Sequence, residues 1–233
     1  MHEAERPDAL ADRFDDNTHR VIARHVASVF ERPWHRHYAS GKLLFDPVYA
    51  AVAEHLLREP RALLDVGCGI GLLGLYLRER GYTADYRGID FDAAKIALAR
   101  RAGARCRVPL VFDGSEARAL PRVSGHVVLL DVLHYLPADA QGTLLAECAA
   151  RVAPGGLLIV RSVLRTRSWR FRMTVAEEYF LYASRWMKTP ARHYPERADI
   201  EAPLHAAGFD METAPLWGRT PFNSFLIVAR RTR

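Results

Sequence analysis

Cysteine is scarce in this chain. Cys68, Cys106 and Cys148 stand far apart among 233 residues. They form no C-x-x-C pair and their number is odd, which excludes a disulfide framework and points to a reducing compartment. Long apolar runs are missing as well: nothing approaches the ~18–20 residues of a membrane-spanning helix. The first twenty residues, MHEAERPDALADRFDDNTHR, are polar and acid-rich rather than signal-like, so a cytoplasmic protein is expected. No internal repeat or low-complexity tract occurs. What is present is ordinary for a globular chain, with 49% hydrophobic and 26% charged residues. This length suits one α/β domain with embellishments, 1–233, better than two domains. The formal net charge is +6 and the pI about 9.5. That balance permits an acidic partner (RNA, an anionic membrane surface or an acidic carrier protein) without selecting one.

Residues 1–60 read as an N-terminal helical cap. Thr18 is placed to cap a helix in which Val21, Ile22, Val26, Val29 and Phe30 recur at helical spacing until Pro33. DPVYAAVAEHLLREP repeats the grammar, with Asp46 as N-cap and Pro47 in the first helical position. Val48, Val52 and Leu56 then share one face.

From 61 to 161 the rhythm changes. RALLDV, YRGID, VPLVF, HVVLLD and LLIVRSVL read as strands, separated by helical segments such as LLGLYLRERG, AAKIALARRAG and ADAQGTLLAECAARVAPGG. VPLVF and HVVLLD are continuously apolar, as strands covered on both faces are. The alternation predicts an α/β fold, doubly wound and Rossmann-like, with a mostly parallel sheet. Residues 162–205 break the pattern and are expected to form a helical lid insert, with Val175, Tyr179, Tyr182 and Trp186 on one stripe. This insert is either a substrate lid with an aromatic wall or a helix packing its stripe on the core. Within 206–233, FDMETAPLW and SFLIVARR form an antiparallel pair that completes a seven-stranded sheet.

LLDVGCGIGLLG carries two overlapping glycine patterns. From Gly69 it is G-x-G-x-x-G, the dinucleotide fingerprint; from Asp65 it is D-x-G-x-G-x-G. Glycines between a strand and a helix allow a tight turn and let a ligand approach the main chain near a helix amino end. That end favours anions, so a pyrophosphate would fit it, as in an oxidoreductase. A carboxylate at Asp65 would repel phosphate oxygens. It suits a ligand with an ammonium, a sulfonium and one carboxylate, which describes S-adenosylmethionine.

In motif order, Leu63 to Val160 resembles the class I S-adenosylmethionine-dependent methyltransferases. The resemblance implies a donor loop made by Asp65, Gly67, Cys68, Gly69 and Gly71. It implies that Asp90 in GIDFD holds the ribose hydroxyls and that Phe91 lies against the adenine. In DGSEARALP, Glu116 occupies the slot that accepts from the adenine amine, with Asp113 as the alternative. LLDVLHYLP, which begins its turn at Asp131, resembles the continuation near the methyl group. VAPGGLLIV matches the turn into the fifth strand. Tyr38 and Lys42 share a helix face, and the resemblance implies that this segment folds over the donor, touching its carboxylate or lining the acceptor pocket. S-adenosylmethionine would be the cofactor and S-adenosylhomocysteine the product.

Methyl transfer is an in-line displacement in which an acceptor hydroxyl or acidic carbon must also lose a proton. An ordinary imidazole titrates near ~6.5 and a phenol near ~10, so His134 is the first candidate base and Tyr135 the second. His35 and His37 lack a carboxylate or cysteine that would complete a metal spacing, so no metal is expected. Arg161, Arg165, Arg167, Arg170 and Arg172 form the strongest basic cluster. It is either a solvated face or a site for phosphate, a carboxylate or an acidic carrier helix; peripheral membrane contact stays open.

Methyltransferases that act on base amino groups carry a D/N-P-P-Y/F type motif after the fourth strand, where this chain has DVLHYLP. Those acting on cytosine C5 carry a Pro-Cys nucleophile, and no cysteine here follows a proline. An RNA methyltransferase and a non-catalytic S-adenosylmethionine-binding protein are therefore alternatives to the favoured reading. HYASGKLLFDPVYAAV and TPFNSFLIVARR resemble methyltransferases of bacterial aryl-polyene and pigment pathways. The expected function is methyl transfer to oxygen or carbon of a small aromatic or acyl-type substrate, free or carrier-bound.

Overall fold

Where apolar residues run without alternation, the chain forms strands covered on both faces. The computed structural model describes residues 16–115, 120–121, 123–183, 189–218 and 220–232. In it β1 (Leu63–Val66), β4 (His126–Leu130) and β5 (Leu157–Val163) are buried almost throughout. With β2 (Tyr86–Asp90), β3 (Val111–Gly114), β6 (Phe209–Pro215) and β7 (Ser224–Arg231) they make one sheet, in the order β3-β2-β1-β4-β5-β7-β6. β1 to β5 pair in parallel, and β7 runs antiparallel between β5 and β6. The mostly parallel, seven-stranded sheet expected from the alternation is present.

Helices α1 (Asp16–Ser28), α2 (Pro33–Phe45) and α3 (Val48–Arg58) precede the sheet. Helices α4 (Leu72–Glu79), α5 (Ala93–Gly103) and α6 (Ala138–Ala149) connect its parallel strands, and α7 (Trp169–Ala183) and α8 (Arg197–Ala206) follow β5. One apolar core gathers Leu43, Val52, Leu56, Leu75 and Tyr76 from α2, α3 and α4. A second, on the other face, gathers Leu144, Leu145, Ile200 and Leu204 from α6 and α8.

Several expectations need correcting. Thr18 lies inside α1 rather than ahead of it. β3 starts at Val111, after Pro109, which has no N–H to give a ladder. It is an edge strand in which only Phe112 is buried, so it is not covered on both faces. α8 is not part of a lid: it packs against α6 and leads directly into β6. The insert proper therefore ends before residue 197. On α7 the stripe Val175, Tyr179, Tyr182 faces solvent, with Tyr179 74% exposed, and Trp186 lies outside the described residues. The inward face is Phe171, Thr174 and Glu178, which meet Tyr194, Asn223 and the His134–Tyr135 turn. Thr174 Oγ1 accepts from the Asn223 N–H at 2.9 Å. The Arg170 guanidinium sits between the rings of Trp169 and Trp217, 4.8 and 4.5 Å from their centroids.

The turn from β1 into α4 depends on glycine at two positions. Gly67 has φ +81°, and a Cβ there would lie 2.3 Å from Val132 Cγ2. Gly71 has φ +82°, and its Cβ would lie 2.7 Å from the Phe112 ring. A left-handed conformation costs an L-residue about 1–2 kcal/mol before any overlap is counted. Gly67→Ala should therefore lower unfolding stability by more than about 1 kcal/mol, seen as a lower urea midpoint with an unchanged slope.

Candidate active site

The carboxyl ends of β1, β2 and β4 frame a crevice at the point where the sheet order reverses. The glycine loop enters it from β1. Gly67 and Cys68 N–H groups bond the Ile89 carbonyl at 2.8 and 3.0 Å, and Gly71 N–H closes the turn on the Cys68 carbonyl at 3.0 Å. Space lies open beyond the α-carbon of Gly69, so a ligand can approach the main chain there. Asp90, at the end of β2, holds this loop in place. Its Oδ2 accepts from Gly69 N–H at 3.0 Å and its Oδ1 from Asp92 N–H at 2.8 Å. Phe91 follows and is 66% exposed. Cys68 is buried, and burial pushes its thiol well up, so it is no nucleophile.

Asp65 differs from the open, ligand-facing charge expected of it. It is 2% exposed, and its Oδ2 accepts from the Tyr86 hydroxyl at 2.5 Å. Burial pushes its carboxyl up to about 7, against the pull of the Tyr86 hydrogen bond and with help from Asp90. Asp113 is engaged too, 3.4 Å from Arg87 Nε and 3.5 Å from Arg100. Glu116 lies outside the described residues.

A second group of charges meets at the end of β4. Asp131 adopts φ +56°, the left-handed conformation that aspartate tolerates better than most residues. Its Oδ2 accepts from Arg161 at 2.8 Å, and the same guanidinium nitrogen reaches Asp46 Oδ2 at 2.7 Å. The other terminal nitrogen of Arg161 donates to Ser224 Oγ at 3.1 Å. Lys42 adds a third cationic contact, 3.1 Å from Asp46 Oδ2. Asp46 Oδ1 also accepts from Val48 N–H at 3.2 Å, but α3 starts at Val48 with Pro47 in the N-cap position, one residue later than expected. Burial opposes the charge on Asp46, but Arg161 and Lys42 bring its carboxyl below the usual range. Arg161 moves up: Asp131 and Asp46 outweigh its burial. Tyr38 lies one helical turn before Lys42, half-buried, its phenol raised by burial.

Arg161 therefore does not belong to the exposed basic cluster inferred from RSVLRTRSWRFR. Arg170 leaves it as well, held between two indoles. Arg165, Arg167 and Arg172 remain exposed. Among the described residues no group of histidine, cysteine, aspartate and glutamate could hold a metal, and His37 is exposed.

His134 and Tyr135 lie just beyond, in a 3-10 turn from Leu133 to Tyr135. Gln141 pins this turn by donating to the Leu133 carbonyl at 2.9 Å and the His193 carbonyl at 2.8 Å. The His134 ring is 1% exposed, and neither of its nitrogens has a hydrogen-bond partner. It packs on Tyr135 and lies nearly parallel to Tyr194, with centroids 4.1 and 5.9 Å away. Phe171 of α7 meets Tyr194 edge-on at 5.2 Å. Glu178 of α7 comes from above: Oε1 is 3.7 Å from His134 Nε2, and Tyr135 donates to Oε2 at 3.1 Å. Burial and then Glu178 drive the Tyr135 phenol far up. Burial opposes ionisation of Glu178, yet His134 and Tyr135 bring its carboxyl below the usual range. The adjoining Glu177 is pushed up to about 7 by burial and by Glu178.

Asp46 and Glu178 are absent from the residues singled out as site candidates, and Arg161 was placed only in the basic cluster. Asp46 was legible only as a helix cap, and no local signal joins it to a strand arginine so far along the chain.

A glycine-loop crevice in a sheet of this order, lined by carboxylates, defines a class I S-adenosylmethionine-dependent methyltransferase. The family model described as "Methyltransferase domain" matches residues 35–214, and the chain belongs to that family. It is 33% identical over 186 residues to a ubiquinone biosynthesis O-methyltransferase of Sinorhizobium medicae, covering 72% of each chain. A similar protein from Alkalilimnicola ehrlichii with the same description is 33% identical over 181 residues, covering 72% of this chain and 71% of its own. Among solved structures, magnesium protoporphyrin IX methyltransferase from Synechocystis PCC 6803 with bound S-adenosylhomocysteine shares the fold, with TM-score 0.64. The two are 19% identical, over 86% of this chain and 88% of the other. S-adenosylmethionine is the methyl donor, and the crevice suits it: the main chain is open at Gly69.

Two substitutions test this construction. Arg161→Met leaves the buried Asp46 and the half-buried Asp131 without their shared cation. Breaking such a pair costs about 3–5 kcal/mol, so thermal unfolding should move down by many degrees. Asp65 ionises near 7 when folded and near 3.8 when unfolded, so the folded state binds its proton more tightly. The wild type therefore loses stability as pH rises between these values, and Asp65→Asn does not. Urea midpoints at about pH 5 and about pH 8 should show the variant gaining on the wild type at the higher pH.

Proposed function

We propose that this chain methylates a hydroxyl oxygen of a small aromatic substrate, with His134 as the proton acceptor. One observation carries the reading: a buried imidazole at the end of β4 has no hydrogen-bond partner on either nitrogen. Leaving such atoms unsatisfied is costly, and a substrate hydroxyl supplies the missing partner. Tyr135, the second candidate, is a poor base because burial and Glu178 keep its phenol protonated. Tyr135, Tyr194 and Phe171 offer an aromatic acceptor ring faces to pack against. Oxygen is favoured over carbon because similar curated proteins are named O-methyltransferases.

The donor supplies an electrophilic methyl carbon and a thioether leaving group. Asp90 is assigned to the ribose hydroxyls, Phe91 to the adenine, and Asp65 to the field that favours the donor's positive charge. Gly67, Cys68, Gly69 and Gly71 form the loop under the donor, and Tyr38 and Lys42 close over it beside Asp131. Asp113, tied to two arginines, leaves Glu116 as the adenine-amine acceptor. His134 takes the hydroxyl proton; that bonding pair stays on oxygen and becomes the O–CH3 bond as the CH3–S bond breaks toward sulfur.

Exposed Arg165 and Arg167 ahead of α7 and Arg172 on it suit an acceptor presented on an acidic carrier. An aromatic acceptor also agrees with a place in pigment assembly. Three free cysteines agree with a cytoplasmic setting. Among the described residues no helix is long and apolar enough to cross a membrane.

The test is transfer of labelled methyl from S-adenosylmethionine into a bacterial extract, followed by mass identification. The label should appear on the oxygen of a small aromatic compound; label in RNA would overturn the reading. With that product in hand, His134→Ala should lower turnover by about 100-fold or more while S-adenosylhomocysteine binding is retained.

A further inference from the structure

α7 has two unlike faces. Inward, Glu178 accepts from the Tyr135 hydroxyl at 3.1 Å and Thr174 Oγ1 accepts from the Asn223 N–H at 2.9 Å, which seats the helix beside the site. Outward, Trp169, Met173, Ala176 and Phe180 recur at helical spacing and form one stripe along its 15 residues. All four are exposed, Trp169 by 61% and Phe180 by 69%, and Tyr179 is exposed beside them. Single apolar residues on a surface need no explanation, but a continuous run of large ones marks an interaction site.

The charges around this stripe have one sign. Arg165 and Arg167 precede the helix and Arg172 lies in its first turn, all three exposed. The two carboxylates of the helix, Glu177 and Glu178, are withdrawn into half-buried positions, so the outer face has no negative charge of its own. A second copy of the chain would set arginine against arginine there, whereas an acidic partner would find its complement. The arginines gather at the amino end and Tyr179 and Phe180 lie toward the other. That order aligns an elongated partner along the helix, while a lipid surface, uniform in its plane, would gain nothing from it. The outside of a single helix encloses nothing small, so the face suits a macromolecule.

We propose that the outer face of α7 docks an acidic helical carrier protein, which delivers the acceptor on a flexible arm to the crevice beneath the same helix. This rests on the reading of the chain as a methyltransferase of a small aromatic hydroxyl and names how that acceptor arrives. A helix with its side chains is about 10–12 Å across. A partner on the outer face therefore stands one helix diameter from the crevice, within reach of a tethered group that passes round α7.

The test uses the whole chain and, as probe, a fluorescently labelled bacterial acyl carrier protein, an acidic helical protein with a flexible arm, followed by anisotropy. The carrier should bind the wild type, and its affinity should fall several-fold between about 50 and about 300 mM salt. Arg165→Glu combined with Arg167→Glu should weaken binding by about tenfold or more. Phe180→Ser, which removes ring area but no charge, should do the same. Each variant should bind S-adenosylhomocysteine as the wild type does, showing that the crevice is intact. No binding of the carrier, or binding unchanged in both variants, would overturn the proposal. So would self-association of the wild type, or its attachment to phosphatidylglycerol vesicles, if the same substitutions abolished it: the face would then belong to a second copy or to a lipid surface. Failure of the methylation reading would appear separately, as labelled extract with no label on an aromatic oxygen even though the carrier binds at α7.

Discussion

The buried guanidinium of Arg161 is the interaction on which the crevice depends. A charge out of water must be paired, and this one is paired by three elements: the α2–α3 junction through Asp46, the end of β4 through Asp131, and β7 through Ser224. The helical cap therefore meets the sheet beside the crevice rather than at an arbitrary point on its face. Lys42 is fixed by the same contact, since its partner Asp46 is the carboxylate that Arg161 holds. Hydrophobic contacts alone would let the cap slide, being non-directional. The ionic cluster gives it one position.

The same cluster accounts for the backbone at Asp131. A residue held at φ +56° persists where its surroundings over-determine it, and here the side chain is bonded to Arg161 while its N–H bonds the Arg161 carbonyl at 3.0 Å. Immediately afterwards the chain turns into the segment bearing His134 and Tyr135. Cap, strand end and the turn that follows are thus one mechanical unit, to which α7 adds Glu178.

Much of this was legible in the sequence because the cues are local. Continuous apolar runs gave β1, β4 and β5 away, and glycines with forced positive φ marked the β1–α4 turn. Asp90 could be placed because it ends a strand of ordinary length after a helix of ordinary length. The misread pieces are those where long-range context decides. Arg161 begins a run of arginines, and only its neighbours in space, far away in sequence, show that it is buried. Val175, Tyr179 and Tyr182 form an apolar stripe on α7, but the helix turns Thr174 and Glu178 inward, toward Asn223 and the His134–Tyr135 turn. VPLVF is apolar like a central strand; its proline and its place at the sheet edge make it short and half-open.

The chain is basic as a whole, yet its crevice is not. Asp65 and Asp90 stand at its strand ends, with burial pushing Asp65 up to about 7, while Arg161 and Lys42 are already taken up by Asp46 and Asp131. Reaction removes exactly one positive charge from the sulfur compound, converting an onium into a neutral thioether. Any carboxylate there that stays ionised therefore grips what enters more firmly than what must depart. Clearance of the spent molecule, a step that limits many enzymes, is eased by the same field that captured its precursor.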